Sequence, residues 1–379
     1  MHVCFVLHEY PKPGYPHGGI GSFVKTITGE LVKNGFRVSV VGINYTAENE
    51  FTEEHGVWVY RLKKTVIKGL SWWINQSRIN RKIAEIHSKD PIDVVETAEL
   101  GLAFLHKIKG IQYVIRLHGG HHFFSEAENR GINPWKGFQE KRSFGKADAF
   151  VAVSDYVKSH TAKYLSYHNK KVTLISYPID TKLFRPLEVP VVPGRLVFAG
   201  TVCEKKGVRQ LIQAFPKVKL AFPEATLEIY GRDWFFPNGN SYIGLLRDKE
   251  IPKIGTAADS IHFRGTVSHL EIPKKYAEAE VCVFPSHMET QGLVAPEAMV
   301  MEKTVVFSKL GPGPETIVDG ETGLLCDPYD PDSIAQKIIW ALAHKAEVAQ
   351  MQQKGAAAAR SKYGLEHIVG CNIEFYRNL

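Results

Sequence analysis

The chain has 379 residues, more than one hydrophobic core ordinarily supports, and so implies about two domains. Hydrophobic residues at 44% and charged residues at 23% suit a globular enzyme, and no run nears the roughly 18 apolar residues of a membrane-spanning helix. The formal charge of +7 favours anionic partners such as phosphates or acidic lipid surfaces without choosing between them, and nucleic acid ranks below both.

Met1 to Leu7 is apolar but lacks a basic leader and a small-residue cleavage site, and it runs into His8-Glu9, which reads as a first buried strand. Strand-length apolar runs then alternate with amphipathic stretches: Val3 to Leu7, Val38 to Ile43, Val57 to Tyr60, Val94 to Val95, Tyr113 to Leu117, Ala149 to Val153 and Val172 to Ile175. Between the first two, Ile20 to Asn34 sets Phe23, Ile27 and Leu31 at helical spacing and stops at Gly35. After Pro186, Pro190 and Pro193 the pattern restarts with Leu196 to Ala199, Thr226 to Ile229, Ile261 to Phe263, Val281 to Phe284 and Thr304 to Phe307. Such alternation predicts βαβ units and two doubly wound α/β domains. Cys4, Cys203, Cys282, Cys326 and Cys371 are scattered, odd in number and without CxxC spacing, which argues against a disulfide framework or zinc knuckle and fits a reducing cytoplasm.

Ligands of open α/β sheets lie beyond the carboxyl ends of the strands, so the turns there carry the functional weight. Gly18-Gly19-Ile20-Gly21 opens the first helix, whose free amides suit a phosphate; tight-turn glycines account for it equally well. From Arg61 to Lys82 the chain carries Arg61, Lys63, Lys64, Lys68, Arg78, Arg81 and Lys82 without a carboxylate, around Leu70, Trp72, Trp73 and Ile74. This is either a peripheral membrane contact or, the favoured reading, a solvated basic stretch whose tryptophans pack inward. Arg116-Leu117-His118-Gly119-Gly120-His121-His122 follows a strand and brings histidine to a ligand-facing edge; without Cys or carboxylate at metal spacing it does not read as a zinc site. Phe198 to Gly207 ends in Lys205-Lys206-Gly207, two ammonium groups at a turn where a diphosphate would need a cation. Pro285 to Met299 sets Glu289 and Glu297 eight positions apart around Gly292, Leu293 and Val294: carboxylates for sugar and ribose hydroxyls flank amides for phosphate, although a glycosidase-like pair is a rival reading. Asp330-Pro331-Asp332 reads as the cap of a helix over Ser333 to Ala343, not as a metal-nucleotide motif.

In this order, Gly18 to Gly21, Ala147 to Ser154, Ile179-Asp180 with Phe184 and Pro186, Lys206-Gly207, Phe263 to Val267 and Glu289 to Met299 resemble the family-4 glycosyltransferases, retaining enzymes of GT-B fold. The resemblance covers nearly the whole chain. It implies two Rossmann-like domains facing across a cleft: residues 1–185 binding the acceptor, 186–360 binding the nucleotide sugar, and a C-terminal helix within 361–379 crossing back to the first. It further implies that Lys206 neutralises the donor diphosphate and that amides of the Gly18, Gly19 and Gly292 turns and of Leu293 and Val294 hold its oxygens. Glu289 would hold the donor sugar and Glu297 the ribose, His118 would touch the transferred sugar, and backbone near Val267 would meet the base. The donor would be a UDP- or GDP-sugar, with no metal and no other cofactor, and the leaving phosphate would take the acceptor's proton.

Two positions depart from the family. Thr201 stands where an arginine is usual, so Lys205 or Arg209 substitutes or donor binding weakens, and Tyr177 replaces an asparagine although Asp180 is kept. For the acceptor, a glycan or lipid-linked glycan of a surface polysaccharide assembled at the cytoplasmic membrane face, the candidates are His121, His122, Phe123 and Trp135 in the long segment 119–144. A catalytically silent sugar-nucleotide-binding partner remains an alternative, as does an epimerase or phosphorylase of the same architecture.

Overall fold

The computed structural model describes residues 1–15, 18–68 and 70–379, in two compact units, Met1–Tyr177 with Ile368–Leu379 and Pro178–His367. The first unit is an eight-stranded sheet in the order β3-β4-β2-β1-β5-β6-β7-β8. Its strands are β1 (His2–Val6), β2 (Arg37–Ile43), β3 (Glu50–Glu54), β4 (Val57–Leu62), β5 (Val94–Thr97), β6 (Gln112–Leu117), β7 (Ala149–Ala152) and β8 (Val172–Leu174). All neighbours are parallel except β3 and β4. The second unit is an all-parallel sheet of β9 (Arg195–Ala199), β10 (Thr226–Tyr230), β11 (Ile261–Gly265), β12 (Val281–Phe284), β13 (Thr304–Ser308) and β14 (Leu324–Cys326), ordered β11-β10-β9-β12-β13-β14.

Helices cover both faces of such sheets, so central strands are buried throughout and carry unbroken apolar runs, as Val281 to Phe284 does. In each unit the strand order reverses once, between β1 and β5 in the first and between β9 and β12 in the second. Side chains from the turns after these strands gather at the reversal, the general ligand position of the fold.

The chain passes between units at Tyr177/Pro178, eight residues before the proline-based boundary. Phe184 explains the difference: it is fully buried in the second core against Tyr276 and His269, and Ile179 donates its amide to Tyr363. At the other end Lys345–Tyr363 is helix of the second unit, with Val348, Met351 and Tyr363 in its core, so membership of the first unit resumes at Ile368 rather than 361.

From Ile368 the helix Leu365–Arg377 belongs to the first unit and is fixed there by a buried ionic group. Arg116 on β6 is fully buried. Its Nε donates to Glu96 on β5 at 2.7 Å, and its Nη2 donates to Asn372 Oδ1 at 2.6 Å. The Tyr376 hydroxyl donates to the other Glu96 oxygen at 2.7 Å. Removing one member of a buried pair strands the other's charge at a cost of about 3–5 kcal/mol. Glu96→Ala should therefore lower the unfolding free energy by that amount in urea titration, and Tyr376→Phe by only about 1 kcal/mol. Equal losses would show that the arginine charge is not what the carboxylate supports.

Candidate active site

In the second unit the sequence-predicted residues converge at the β9/β12 reversal. Glu204–Lys206 is a single tight turn of helix ended by Gly207 at φ +70°, where an added Cβ would lie 1.9 Å from the Pro285 carbonyl oxygen. Only glycine lets the turn after β9 press on the turn after β12 this closely. The His287 amide donates to the Lys205 carbonyl at 2.8 Å and ties the same turns again. The result is an ion pair between the Lys206 ammonium and the Glu289 carboxylate, with the Ser286 hydroxyl also donating to Glu289 at 2.9 Å.

Gly292, at φ +74°, lies against the Phe307 ring and turns the chain into the helix Val294–Val300, with Leu293 preceding it and Glu297 in its first turn. Glu297 lies 3.7 Å from His269 Nε2, and the nearby carboxylate raises the His269 pKa against the opposing effect of burial. Val267, two residues before His269, is half-buried against the core. The sequence had not singled out His269; only its position just after the Arg264 to Val267 stretch pointed to it.

Of the two proposed replacements for the absent arginine, Arg209 is not available. It is held by Glu204 at 2.8 Å and by Glu250 at 2.9 Å, a carboxylate 41 residues away in sequence. The cation beside Thr201 is instead Arg232, whose Nε donates to the Thr201 hydroxyl at 3.4 Å. Gly231, at φ +150°, brings its backbone against Gly200, where a Cβ would meet the carbonyl oxygen at 1.7 Å. The paired chains therefore continue past β9 and β10 to a bridge between Val202 and Asp233. No carboxylate pairs with Arg232 among the described residues, and no local sequence signal marks it.

In the first unit His118 is buried just after β6. Its Nδ1 lies 2.5 Å from the Tyr177 hydroxyl and the two rings are nearly parallel. Burial, then the Arg116 charge, pushes its pKa down to about 3, so the imidazole is neutral. Burial pushes the neighbouring Glu99 carboxyl up to about 8, with Glu140 adding to the rise, against backbone hydrogen bonds that include those from His118 and Gly119.

Several first-unit expectations need correction. The turn at Gly18 is capped from within: Gly18 and Gly21 donate their amides to Glu9 at 3.1 and 3.2 Å, so a protein carboxylate sits where a phosphate was expected; Gly19 begins the helix Gly19–Lys33. His122 is buried and hydrogen-bonded to Glu140, and Phe123 is buried against His160, so neither can face an acceptor. His121 Nε2 accepts the Asn133 amide at 2.8 Å and is half-buried. Of the four, Trp135 alone is well exposed, at 48%.

The basic stretch is also altered. Arg61 is buried because β3, which the sequence did not reveal, sets Glu50 opposite it; the guanidinium bonds Glu50 and Glu54. Lys82 pairs with Glu85. Trp72 and Trp73 do not pack inward but are 46% and 59% exposed. Among the described residues no helix is long and apolar enough to cross a membrane, and no three His, Cys, Asp or Glu residues are placed to hold a metal.

Two doubly wound sheets, the second with a lysine–carboxylate pair at its reversal, define a protein of GT-B fold. Residues 17–183 match the family described as Glycosyltransferase Family 4, and residues 193–344 match Glycosyl transferases group 1. The chain thus belongs to the family-4 glycosyltransferases. A GDP-mannose-dependent alpha-(1-6)-phosphatidylinositol monomannoside mannosyltransferase from Mycolicibacterium smegmatis is 26% identical, over 93% of this chain and 92% of that protein. A glycogen synthase from Mycobacterium tuberculosis is 26% identical over 57% of this chain, which spans only 50% of that relative. Among solved structures, sucrose-phosphate synthase from Thermosynechococcus elongatus superposes with a TM-score of 0.84 at 20% identity, covering 100% and 98% of the two chains. The Anabaena protein HepE, in complex with UDP and glucose, gives 0.78 at 17% identity with full coverage of both. These two likenesses are of fold.

Unfolding returns His118 to about 6.5 and Glu99 to about 4.5. Between about pH 3 and 6.5 the unfolded chain holds the extra proton at His118, so this residue's contribution to stability rises with pH, at up to about 1.4 kcal/mol per unit. Between about 4.5 and 8 the folded chain holds the extra proton at Glu99, whose contribution falls with pH at the same slope. The two cancel from about 4.5 to 6.5. Glu99→Gln should thus remove a decline between pH 6.5 and 8 and steepen the rise below 6.5, measured as urea unfolding free energy against pH. Parallel profiles for the variant and wild type would refute the assignment.

Proposed function

We propose that the chain is a retaining, metal-independent glycosyltransferase that moves a sugar from a UDP- or GDP-sugar to a hydroxyl of a glycan or lipid-linked glycan, in surface polysaccharide or glycolipid assembly. The observation that carries this reading is the Lys206–Glu289 pair at the β9/β12 reversal, with Glu297 in the next helical turn. A diphosphate leaving group needs cationic stabilisation as its bond to the sugar breaks, electrostatic work worth several kcal/mol. Lys206 supplies one charge and Arg232, beside Thr201, a second, while amides of Leu293 and Val294 take phosphate oxygens. Lys205 supplies its carbonyl to the turn and is not needed as the replacement cation.

Glu289 is placed to hold the sugar's hydroxyls and Glu297 those of the ribose, with His269 fixing the Glu297 carboxylate. His118 is the first-unit residue assigned to the transferred sugar. A Tyr177 hydroxyl that donates to Nδ1 would leave the ring proton on Nε2, a neutral donor to the sugar. The acceptor hydroxyl attacks the oxocarbenium-like carbon on the face the diphosphate leaves, and a diphosphate oxygen takes its proton, so no carboxylate base is required. Similarity to a GDP-mannose-dependent enzyme acting on a phosphatidylinositol mannoside supports a nucleotide-sugar donor and a lipid-linked acceptor.

Thermal unfolding with UDP, GDP and ADP, first in EDTA and then with magnesium, tests the donor site. A nucleotide at 100 times its dissociation constant should add about 2.7 kcal/mol of stability. The expected result is stabilisation by one base, equal with and without magnesium, abolished in Lys206→Ala and Glu297→Ala. Arg232→Ala should bind the nucleoside diphosphate about tenfold more weakly yet leave nucleoside binding unaltered, the loss of one charge-assisted contact. No stabilisation by any of the three would refute the donor site.

A further inference from the structure

The first unit holds a cavity of about 400 Å³ that none of the residues assigned above lines. It lies at the carboxyl ends of β1, β2 and β4, edged by His8, Asn44, Tyr45 and Lys64. Its wall is one face of the helix Ser71–Lys89: Trp72, Asn75, Gln76 and Ile79 follow the i, i+3, i+4, i+7 spacing of a single helical stripe. Phe104 and Gln139 complete it.

Two chemistries meet here. One is an aromatic shelf. Trp72 and Phe104 have ring centres 4.8 Å apart, Trp135 stacks on Phe104 at 5.7 Å, and Phe138 stacks on Trp135 at 5.7 Å. Trp72, Trp135 and Phe138 are each close to half exposed, an arrangement that leaves ring faces for a ligand rather than for a core. The other is a set of uncommitted polar groups. The Gln76 and Gln139 amides and the Lys64 ammonium have no partner among the described residues, whereas Asn75 spends its amide on the Thr65 backbone. His8 Nδ1 accepts the Ile43 amide at 3.0 Å, which places the ring proton of the neutral imidazole on Nε2 as a donor.

A ligand matching this set has an apolar face to lie on an aromatic ring and hydroxyls at its edge that both donate and accept, as carboxamides do. That is a pyranose. One cation in isolation is too little for a diphosphate, and the uncommitted amides would be left unpaired by an acyl chain. The volume is within the range of small-molecule sites.

We propose that this cavity is the acceptor-saccharide site, with a pyranose resting on Trp72 and Phe104, its hydroxyls on Gln76, Gln139 and His8, and the next sugar along the shelf of Trp135 and Phe138. The proposal rests on the transferase reading, which the nucleotide experiment tests separately. The pyranose comes either from a free glycan or from the headgroup of a glycolipid. Exposed Val66, Ile67, Leu70 and Trp73 beside Lys63 and Lys68 border the same helix, which makes both sources worth separate arms.

The full chain would be titrated with gluco-, galacto- and manno-configured di- and tetrasaccharides, and with phosphatidylcholine vesicles with or without a glycosyl-diacylglycerol, following tryptophan fluorescence and saturation-transfer NMR. At least one saccharide, free or on vesicles, should bind. Trp72→Ala and, as a change that removes no aromatic packing, Gln76→Ala should each weaken it tenfold or more while nucleoside diphosphate binding is unaltered. Binding of soluble saccharide identifies a free glycan; binding only to vesicles bearing the glycolipid identifies a lipid-linked one. The inference is overturned if no saccharide binds a protein that binds nucleotide, if both variants bind saccharide like wild type, or if sugar-free vesicles bind equally well. Failure of the wild type to bind any nucleotide would instead strike the transferase reading.

Discussion

The contact between Gly207 and the Pro285 carbonyl sets the geometry of the lysine–carboxylate pair on which the site in the second unit depends. Strands β9 and β12 are neighbours across the reversal of strand order, and their following turns would ordinarily diverge to opposite faces of the sheet. A residue without a Cβ lets them touch, and the Lys205 carbonyl bonded to the His287 amide holds them there. Lys206 and Glu289, 83 positions apart in sequence, are thereby brought into an ion pair. Any larger residue at 207 would separate the two charges before it disturbed either side chain directly.

The fold was legible because its physics is local. Buried parallel strands must be apolar on both faces, so Val281 to Phe284 or Ala149 to Ala152 announce themselves, and Gly35 ends the first helix in the conformation only glycine adopts cheaply. The antiparallel β3 was missed for the converse reason: Glu50 to Glu54 is an edge strand with charged side chains and no apolar run. That omission propagated. Arg61 read as a surface charge because the glutamates that hold it, Glu50 and Glu54, belonged to the strand that was not seen.

Candidate site residues were legible as types at turns and illegible as partners. Lys206, Glu289 and Glu297 could be named from spacing, but the pairing of the first two depends on a backbone approach that spacing does not encode. Arg209 looked available until Glu250, from a distant loop, took one side of its guanidinium. Arg232 was invisible because strand pairing continues three residues past β9 and β10, to the Val202–Asp233 bridge, carrying it to Thr201. Tyr177 was noted as a substitution, and its consequence, a phenol aimed at the Nδ1 of His118, exists only in three dimensions.

These partners share an electrostatic logic. The groups best suited to an anion already hold carboxylates of the protein: Lys206 holds Glu289, Arg209 holds Glu204 and Glu250, and the amides of Gly18 and Gly21 hold Glu9. A pre-paired cation has surrendered part of its Coulomb energy, and an incoming diphosphate recovers only the difference between itself and the carboxylate it joins or displaces. Affinity in such a site depends less on the count of lysines and arginines than on those without a carboxylate partner. Arg232 meets that condition beside Thr201, and it does so on the strand edge next to the turn that carries Lys206. On the proposed reading, the arginine absent from position 201 would be replaced by one from the adjacent strand, with the guanidinium reaching the same hydroxyl-bearing turn along a different backbone path.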